Sequence, residues 1–194
     1  DFSQLRNLIV ENAKSEFVFM LAVDEDILRS AHLLRELLEQ AQNPTLGFFI
    51  NIQNLYADEP GKALRSEVLP YVRCFRKDER LKYIGSVHED IFQSIQALEK
   101  EAGQDLMEHF GERIYISHYG YISPEARQYK SERNFNYSDL EVLTPEARPA
   151  TYIFRISYLL AKDNFQQAGQ EAHQALLLLE RDEYKDQLDI KAQL

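Results

Sequence analysis

An acidic cluster, Asp24-Glu25-Asp26, follows directly after the apolar run Phe17–Val23. The run predicts a strand buried on both faces, so the cluster should lie in the loop at its carboxyl end. Ligands of open α/β sheets bind at such ends. A carboxylate there could hold Mg²⁺ or Mn²⁺, which in turn neutralises a diphosphate. The alternative is that Asp24 or Asp26 only caps the next turn.

Two arginines, Arg73 and Arg76, lie at the end of another apolar segment. Guanidinium groups pair bidentately with phosphate oxygens, so both side chains could neutralise a phosphate. The competing interpretation is surface ion pairing, because acidic residues outnumber basic ones by 32 to 22.

The elements that must position these residues form an α/β part that we expect to cover residues 1–121. Phe48, Ile50 and Ile52 alternate with a second set of side chains, which is typical of a strand. The predicted strands are Phe17–Val23, Gly47–Asn54, Val68–Phe75, Tyr83–Val87 and Arg113–Tyr119. Helical spacing is found up to Lys14, from Ser30 until Asn43-Pro44, and around Ile91–Ala102, and Asp58–Gly61 predicts a turn.

Residues 122–194 have a different character, because helical patterns replace strand patterns from Ser123-Pro124 onward. An apolar stripe from Phe165 to Leu179 predicts one core-forming helix, and Tyr152–Leu160 predicts the helix before it. Asp163-Asn164 would connect them. The small residues Ala168, Ala172 and Ala175 are similar to those of a tetratricopeptide unit, although Arg155 and Ile156 replace its usual Leu-Gly. A plain helical hairpin is the alternative.

Composition excludes several classes of function. The net charge is −10 and no basic stripe is present, so nucleic-acid binding is not expected. Cys74 is the only cysteine, which rules out an intrachain disulfide and favours a reducing, cytoplasmic compartment. No apolar run approaches the roughly 20 residues that span a bilayer. The chain opens abruptly at Asp1, and we expect it to be part of a longer protein.

Several short motifs occur in an order that resembles bacterial family 2 glycosyltransferases. Asp1–Asn7 resembles the family's D-F-S-x-A-R-N segment, and the acidic cluster resembles its D-A-D-E. Further matches are Arg73–Arg76 to R-L-F-R, Gly85–Glu89 to G-x-V-H-E, Ile116–Tyr121 to I-x-H-x-G-Y, and Lys130, Arg133 and Asn134 to K-x-x-R-N. Each motif is weak alone, but their shared order across residues 1 to 134 is fairly specific. Helical tails are also common in this subfamily.

The resemblance implies a partial GT-A-like mixed sheet with flanking helices, followed by an all-α tetratricopeptide-like tail. It implies inverting transfer of a sugar from a nucleotide-sugar donor to a glycan or protein acceptor, assisted by Mg²⁺ or Mn²⁺. Asp24 takes the metal-ligand position and Glu89 that of the general base for the acceptor hydroxyl. The expected substrate-binding residues are Arg6, Asn7, Arg73, Arg76, His88 and His118. Ala22 replaces the first Asp of the family's D-x-D motif, which puts donor choice in doubt.

Structural roles compete with these assignments. His88 could be a partly buried structural residue, Glu89 a solvated cap, and His118 a satisfied core histidine on the face of Ile114 and Ile116. The resemblance further implies that the nucleotide-binding part lies upstream of Asp1, so this chain could be inactive.

Two other functions stay open. The helical tail could present a groove to a protein partner. A metal hydrolase built on His88, Glu89 and His118 is less favoured, because their spacing fits no helical metal motif.

Overall fold

The computed structural model describes residues 2–27, 30–41, 44–57, 64–144 and 147–181. Over these residues the protein has a mixed α/β fold, as the sequence predicts. The helices are α1 Phe2–Asn12, α2 Ala31–Gln40, α3 Phe92–Ala102, α4 Pro124–Val142, α5 Pro149–Ala161 and α6 Phe165–Leu179, with a 3₁₀ turn at Gly111–Arg113. The strands are β1 Phe17–Phe19, β2 Glu25–Asp26, β3 Gly47–Tyr56, β4 Arg65–Arg76, β5 Met107–His109 and β6 Tyr115–Tyr121.

The chain divides into two compact units. The sheet unit contains residues 3–84 and 90–128, and the helical unit contains Phe2, residues 85–89 and the chain from Tyr129 onward. The boundary predicted after Tyr121 marks a change in the sequence pattern. The two units are defined instead by which residues lie close together in space. The segment Gly85–Glu89, which carries two of the predicted site residues, therefore belongs with the helices.

Strand β3 is the centre of the sheet, whose order is β1-β4-β3-β6-β2. It pairs antiparallel with β4 along its whole length, from Gly47 opposite Phe75 to Tyr56 opposite Arg65. Its other edge pairs in parallel with two strands, first β5 and then β6. β2 adds antiparallel to β6, and β1 adds antiparallel to β4. This arrangement brings the acidic cluster, whose last two residues form β2, beside the strand that carries His118.

Alternation along β3 gives the sheet its core, as predicted. Phe48, Ile50 and Ile52 are at most 2% exposed and share one apolar cluster with Ile116 of β6 and Leu37 of α2. A second cluster joins α1, α3, β1 and β4; its buried members include Val10, Val18, Phe75, Leu81 and Ile95. Helices α1, α2 and α3 thus cover the sheet with the apolar faces that the sequence marks.

The predicted strand Phe17–Val23 is wrong in its length. Regular pairing ends at Phe19, and although Met20 is buried, Leu21 is 44% exposed and Val23 is fully exposed. The chain turns here because the Glu25 N–H donates to the Ala22 carbonyl at 3.1 Å. Hydrophobicity alone does not indicate such a turn. The predicted burial of the run on both faces is also wrong, because Leu21 and Val23 are exposed.

The predicted strand Tyr83–Val87 is likewise wrong. The segment contains only an isolated bridge between Ile84 and Asp90. Gly85 has a φ of +106°, outside the extended region that a strand requires. The predicted turn Asp58–Gly61 and Asn43 lie outside the described residues.

The helical unit contains the predicted hairpin of α5 and α6. Asp163 and Asn164 connect the two helices, and Ala168, Ala175 and Leu179 lie buried on α6. The predicted stripe is core only in part, because Phe165 is 65% exposed and Leu176 is 42% exposed. The hairpin buries only the side of α6 that faces its neighbours.

A buried arginine links three helices of this unit. Arg155 of α5 donates to both carboxylate oxygens of Glu171 in α6, at 2.6 and 2.7 Å. Its third nitrogen donates to Ser138 and Asp139 of α4, at 2.9 and 2.5 Å. Position 155, where the tetratricopeptide pattern has leucine, therefore carries the main polar contact between these helices. Within the described residues, no helix has both the length and the apolar character needed to cross a membrane.

Candidate functional site

Asp24 and His118 come together at one edge of the sheet. The pairing of β2 with β6 places Glu25 opposite His118, and the Tyr119 N–H donates to the Asp24 carbonyl at 2.9 Å. The Asp24 carboxylate oxygen consequently lies 3.4 Å from Nε2 of His118. The two residues are far apart in sequence, and the motifs place each of them separately in a diphosphate or metal site.

Asn54 holds the other side of the His118 ring. It lies opposite His118 in the parallel β3–β6 pair, is 6% exposed, and its Oδ1 is 2.7 Å from Nδ1 of His118. Asn54 is not among the site residues predicted from the sequence. The sequence does contain an indication of its role. Asn54 continues the inward-facing set Phe48, Ile50 and Ile52, and a buried amide requires a hydrogen-bond partner.

Both ring nitrogens of His118 therefore face oxygen atoms. With Oδ1 of Asn54 accepting, Nδ1 carries the N–H, and a neutral imidazole then presents a lone pair at Nε2. A lone pair and the Asp24 carboxylate repel each other unless a proton or a cation lies between them. Neighbouring ligands of an octahedral cation with bonds of about 2.1 Å lie about 3.0 Å apart. The separation of 3.4 Å is that of an ion pair if the imidazole is protonated, and it is also close to this spacing between two ligands of one cation.

Two residues beside this pair interact with each other. The Glu25 side chain is 1% exposed, accepts from Arg73 Nη2 at 2.5 Å, and accepts from the Ala22 N–H at 2.8 Å. Arg73, a predicted phosphate ligand, thus forms an ion pair with a buried carboxylate and not the surface ion pair considered as its alternative role. At Ala22, where the family's motif has a carboxylate, the structure shows a backbone contact that stabilises the turn.

The structure does not bring the remaining predicted residues of the sheet unit to the Asp24–His118 pair. Arg76 contacts Glu16 and packs over the ring of Phe17. Arg76 is next to Phe75, which pairs with Gly47 of β3. Gly47 lies about 23 Å from Asn54 along that strand, at 3.3 Å per residue. Arg76 is therefore far from the Asp24–His118 pair.

Arg6 and Asn7 contact Tyr83 instead. Asn7 binds the Tyr83 backbone through both amide atoms, at 3.0 and 2.7 Å, and Arg6 lies over the Tyr83 ring, 5.3 Å from its centroid. Their observed contacts are therefore structural.

Two aromatic side chains lie next to the Asp24–His118 pair. Tyr121 lies edge-on to the His118 ring, with centroids 4.8 Å apart, and stacks on Tyr56 at 5.5 Å. Desolvation and the hydrogen bond to Glu67 raise the pKa of Tyr56 to about 12, so its hydroxyl stays protonated. Aromatic side chains with a few convergent polar groups are typical of ligand sites.

His88 and Glu89 lie in the helical unit, and both are partly buried. The ring of His88 stacks on Phe154, with centroids 3.4 Å apart and an angle of 11°. Burial, together with the positive charges of Arg148 and Arg133, lowers the pKa of His88 to about 4. His88 is therefore neutral at pH 7. Its contacts match the structural role considered above.

Among the described residues, no group of three or more His, Cys, Asp or Glu side chains is placed to hold a metal ion. Asp24 and His118 would supply two ligands. Mg²⁺ commonly keeps several waters and takes further ligands from substrate phosphates, so two protein ligands fit a cation that binds together with a diphosphate.

Comparisons with known proteins add no assignment. Neither protein-family models nor curated proteins give a match to this chain. Membership of the glycosyltransferase family therefore stays a prediction from the motifs. The geometry around His118 supports a functional interpretation independently of the comparisons.

Proposed function

We propose that the protein is a glycosyltransferase of the GT-A type that uses Mg²⁺ or Mn²⁺ and a nucleotide-sugar donor. The observation that carries this proposal is the arrangement of Asp24, His118 and Asn54, with 3.4 and 2.7 Å on the two sides of one imidazole. The motifs at residues 24 and 118 resemble the family at the two positions that the fold brings together. The order of the other motifs supports the same family.

Each residue has a defined part in this proposal. When bound, the cation would neutralise the charge that develops on the departing nucleoside diphosphate. Asn54 keeps the proton of His118 on Nδ1, which leaves Nε2 directed at the cation, as second-shell partners do in metal sites. Asp24 supplies the anionic ligand. Glu89 is assigned as the base for the acceptor hydroxyl from its motif.

The substrates are proposed by chemical class. A nucleoside diphosphate sugar would bind through its phosphates at the cation. The stacked rings of Tyr56 and Tyr121 lie next to His118, and aromatic side chains of this kind would line the place of the sugar. The acceptor is a glycan or a protein.

A second candidate function is a protein-interaction module built on the tetratricopeptide-like hairpin. Large apolar side chains of α5 and α6 are exposed, among them Leu160 at 47%, Phe165 at 65% and Leu177 at 45%. Exposed apolar patches mark contact surfaces in many proteins. This function would involve partner binding that does not depend on a metal ion.

Replacing Asp24 by asparagine tests the proposal, because it removes the anionic ligand at nearly constant shape. Titration calorimetry with uridine or guanosine diphosphate is expected to show binding that requires Mn²⁺. We expect Asp24→Asn to weaken this binding about tenfold or more, which is the usual range for disturbed metal sites. Asp26→Asn, two residues further along the chain, makes the same change of charge and is expected to have little effect.

Three results would contradict the glycosyltransferase proposal. One is nucleotide binding that is equally strong without Mn²⁺. Another is Mn²⁺-linked binding that Asp24→Asn and Asp26→Asn weaken to the same extent. The third is no binding of either nucleotide, which would leave the interaction module as the better account of the chain.

A further inference from the structure

The segment Gly85–Glu89 has a backbone that needs external support. Gly85 has a φ of +106° and His88 a φ of +52°, so two of its five residues lie in the left-handed region. A non-glycine residue such as His88 adopts this conformation at a cost of about 1–3 kcal/mol, and only where the surroundings impose it. The helical unit supplies those surroundings.

Glu141 of α4 binds the start of this segment. One of its carboxylate oxygens accepts from both the N–H and the hydroxyl of Ser86, at 2.9 and 2.7 Å. The other oxygen accepts from Arg148 Nε at 2.8 Å and from the Thr151 hydroxyl. Burial alone would raise the pKa of Glu141, but the hydrogen bonds from Arg148 and Thr151 bring it down to about 2. The carboxylate is thus ionised and fully engaged.

Arg148 binds the next residue of the segment. It is 4% exposed, and its Nη2 donates to the Val87 carbonyl at 2.8 Å. Since Arg148 also pairs with Glu141, the contacts form a closed ring from Ser86 through Glu141 and Arg148 to Val87. A backbone held at two consecutive residues by an ion pair has little freedom.

The contacts of Arg148 also explain why residue 85 is a glycine. A Cβ atom on Gly85 would lie 2.0 Å from Nη2 of Arg148. The guanidinium therefore occupies space that any other residue would need. Further contacts hold the segment on other sides, since the Phe2 N–H donates to the Ser86 carbonyl at 3.2 Å and Phe154 stacks on His88.

We propose that Glu141 and Arg148 are positioning residues that fix the backbone of Ser86 and Val87 and thereby restrict the adjoining Glu89, the proposed base. This inference rests on the proposed function, because the role of Glu89 as the base comes from it. The helices of this unit then form the support of the segment that carries the base, in addition to any surface they offer a partner.

The substitution Arg148→Lys tests this inference, since lysine keeps the charge but lacks the fork that reaches Glu141 and Val87 together. Amide exchange at Ser86 is expected to accelerate about tenfold or more as its hydrogen bond to Glu141 loosens. Turnover of a nucleotide sugar is expected to show a kcat about tenfold lower or more, with KM for the donor unchanged, because the base is displaced. Arg155→Lys is the matched control, a buried arginine of the adjoining helix α5 that does not bind the segment.

The outcomes separate the inference from the function on which it rests. Unchanged exchange at Ser86, or equal effects of Arg148→Lys and Arg155→Lys, would overturn the positioning role. So would a rise in KM that accounts for the whole loss of kcat/KM. Nucleotide binding by the unaltered chain that does not depend on Mn²⁺ would overturn the proposed function instead. Should Arg148→Lys fail to fold, Ser86→Ala removes one hydrogen bond of the same ring and is expected to shift exchange and kcat in the same direction.

Discussion

Replacing Arg155 by methionine is expected to lower the free energy of unfolding by about 3–5 kcal/mol. The cause is the carboxylate of Glu171, which is 8% exposed and would lose both hydrogen bonds from the guanidinium. Removal of one partner from a buried ion pair leaves the other charge in a medium that solvates it poorly. Urea-induced unfolding followed by far-ultraviolet circular dichroism measures the change.

Two further variants show whether the unpaired charge is the cause. The double variant Arg155→Met with Glu171→Met removes both charges and is expected to regain most of the lost stability, because apolar replacements of buried pairs are often neutral. Arg80→Met breaks a surface pair with Asp78 and is expected to change stability little. A double variant no more stable than Arg155→Met alone would show that packing and not charge governs this position.

Acidification from pH 7 to pH 4 is expected to remove about 3 kcal/mol of stability through His88 alone. The pKa of His88 falls from 6.5 to about 4 on folding, and each unit corresponds to about 1.4 kcal/mol. Because the unfolded chain binds the proton more tightly, this contribution is fully present above about pH 6.5 and is lost as the pH falls towards 4. Glu141, whose pKa is lowered to about 2, adds a further loss only below about pH 4.5.

The variant His88→Gln isolates this effect. Its free energy of unfolding should decline less between pH 7 and pH 4 than that of the unaltered protein, by about 3 kcal/mol. His173→Gln removes a histidine from an exposed position of α6 and is expected to leave the pH dependence nearly unchanged. If His88→Gln declines as steeply as the unaltered protein, His88 is charged in the folded state and the stacking on Phe154 does not exclude water.

Much of the fold follows from local patterns. The alternation of Phe48, Ile50 and Ile52 predicts β3, and the apolar spacing of α2 and α6 predicts those helices, because each pattern reflects one buried face. The wrong strands at Phe17–Val23 and Tyr83–Val87 have a common cause. Apolar residues occur there, but hydrogen bonds that turn the chain at Ala22, and the positive φ of Gly85, are not expressed in hydrophobicity.

The candidate site was predictable only in part. Asp24 and His118 belong to recognisable motifs, whereas Asn54 becomes significant only once β3 and β6 are known to pair in parallel with these two residues opposite each other. The ring of contacts from Ser86 through Glu141 and Arg148 joins residues up to 62 positions apart. No local pattern carries such information, since every member alone is an ordinary polar residue.

The central claim, that Asp24 and His118 hold a divalent cation, is tested most directly by proton NMR of the imidazole rings during a titration with Mn²⁺ and uridine diphosphate. The chain has five histidines, and the paramagnetic ion broadens the signals nearest to it. We predict that the His118 signals disappear first, at substoichiometric Mn²⁺, and that Asp24→Asn raises the required concentration about tenfold or more. Broadening of all five histidines together, or retention of the His118 signals at excess Mn²⁺, would contradict the claim.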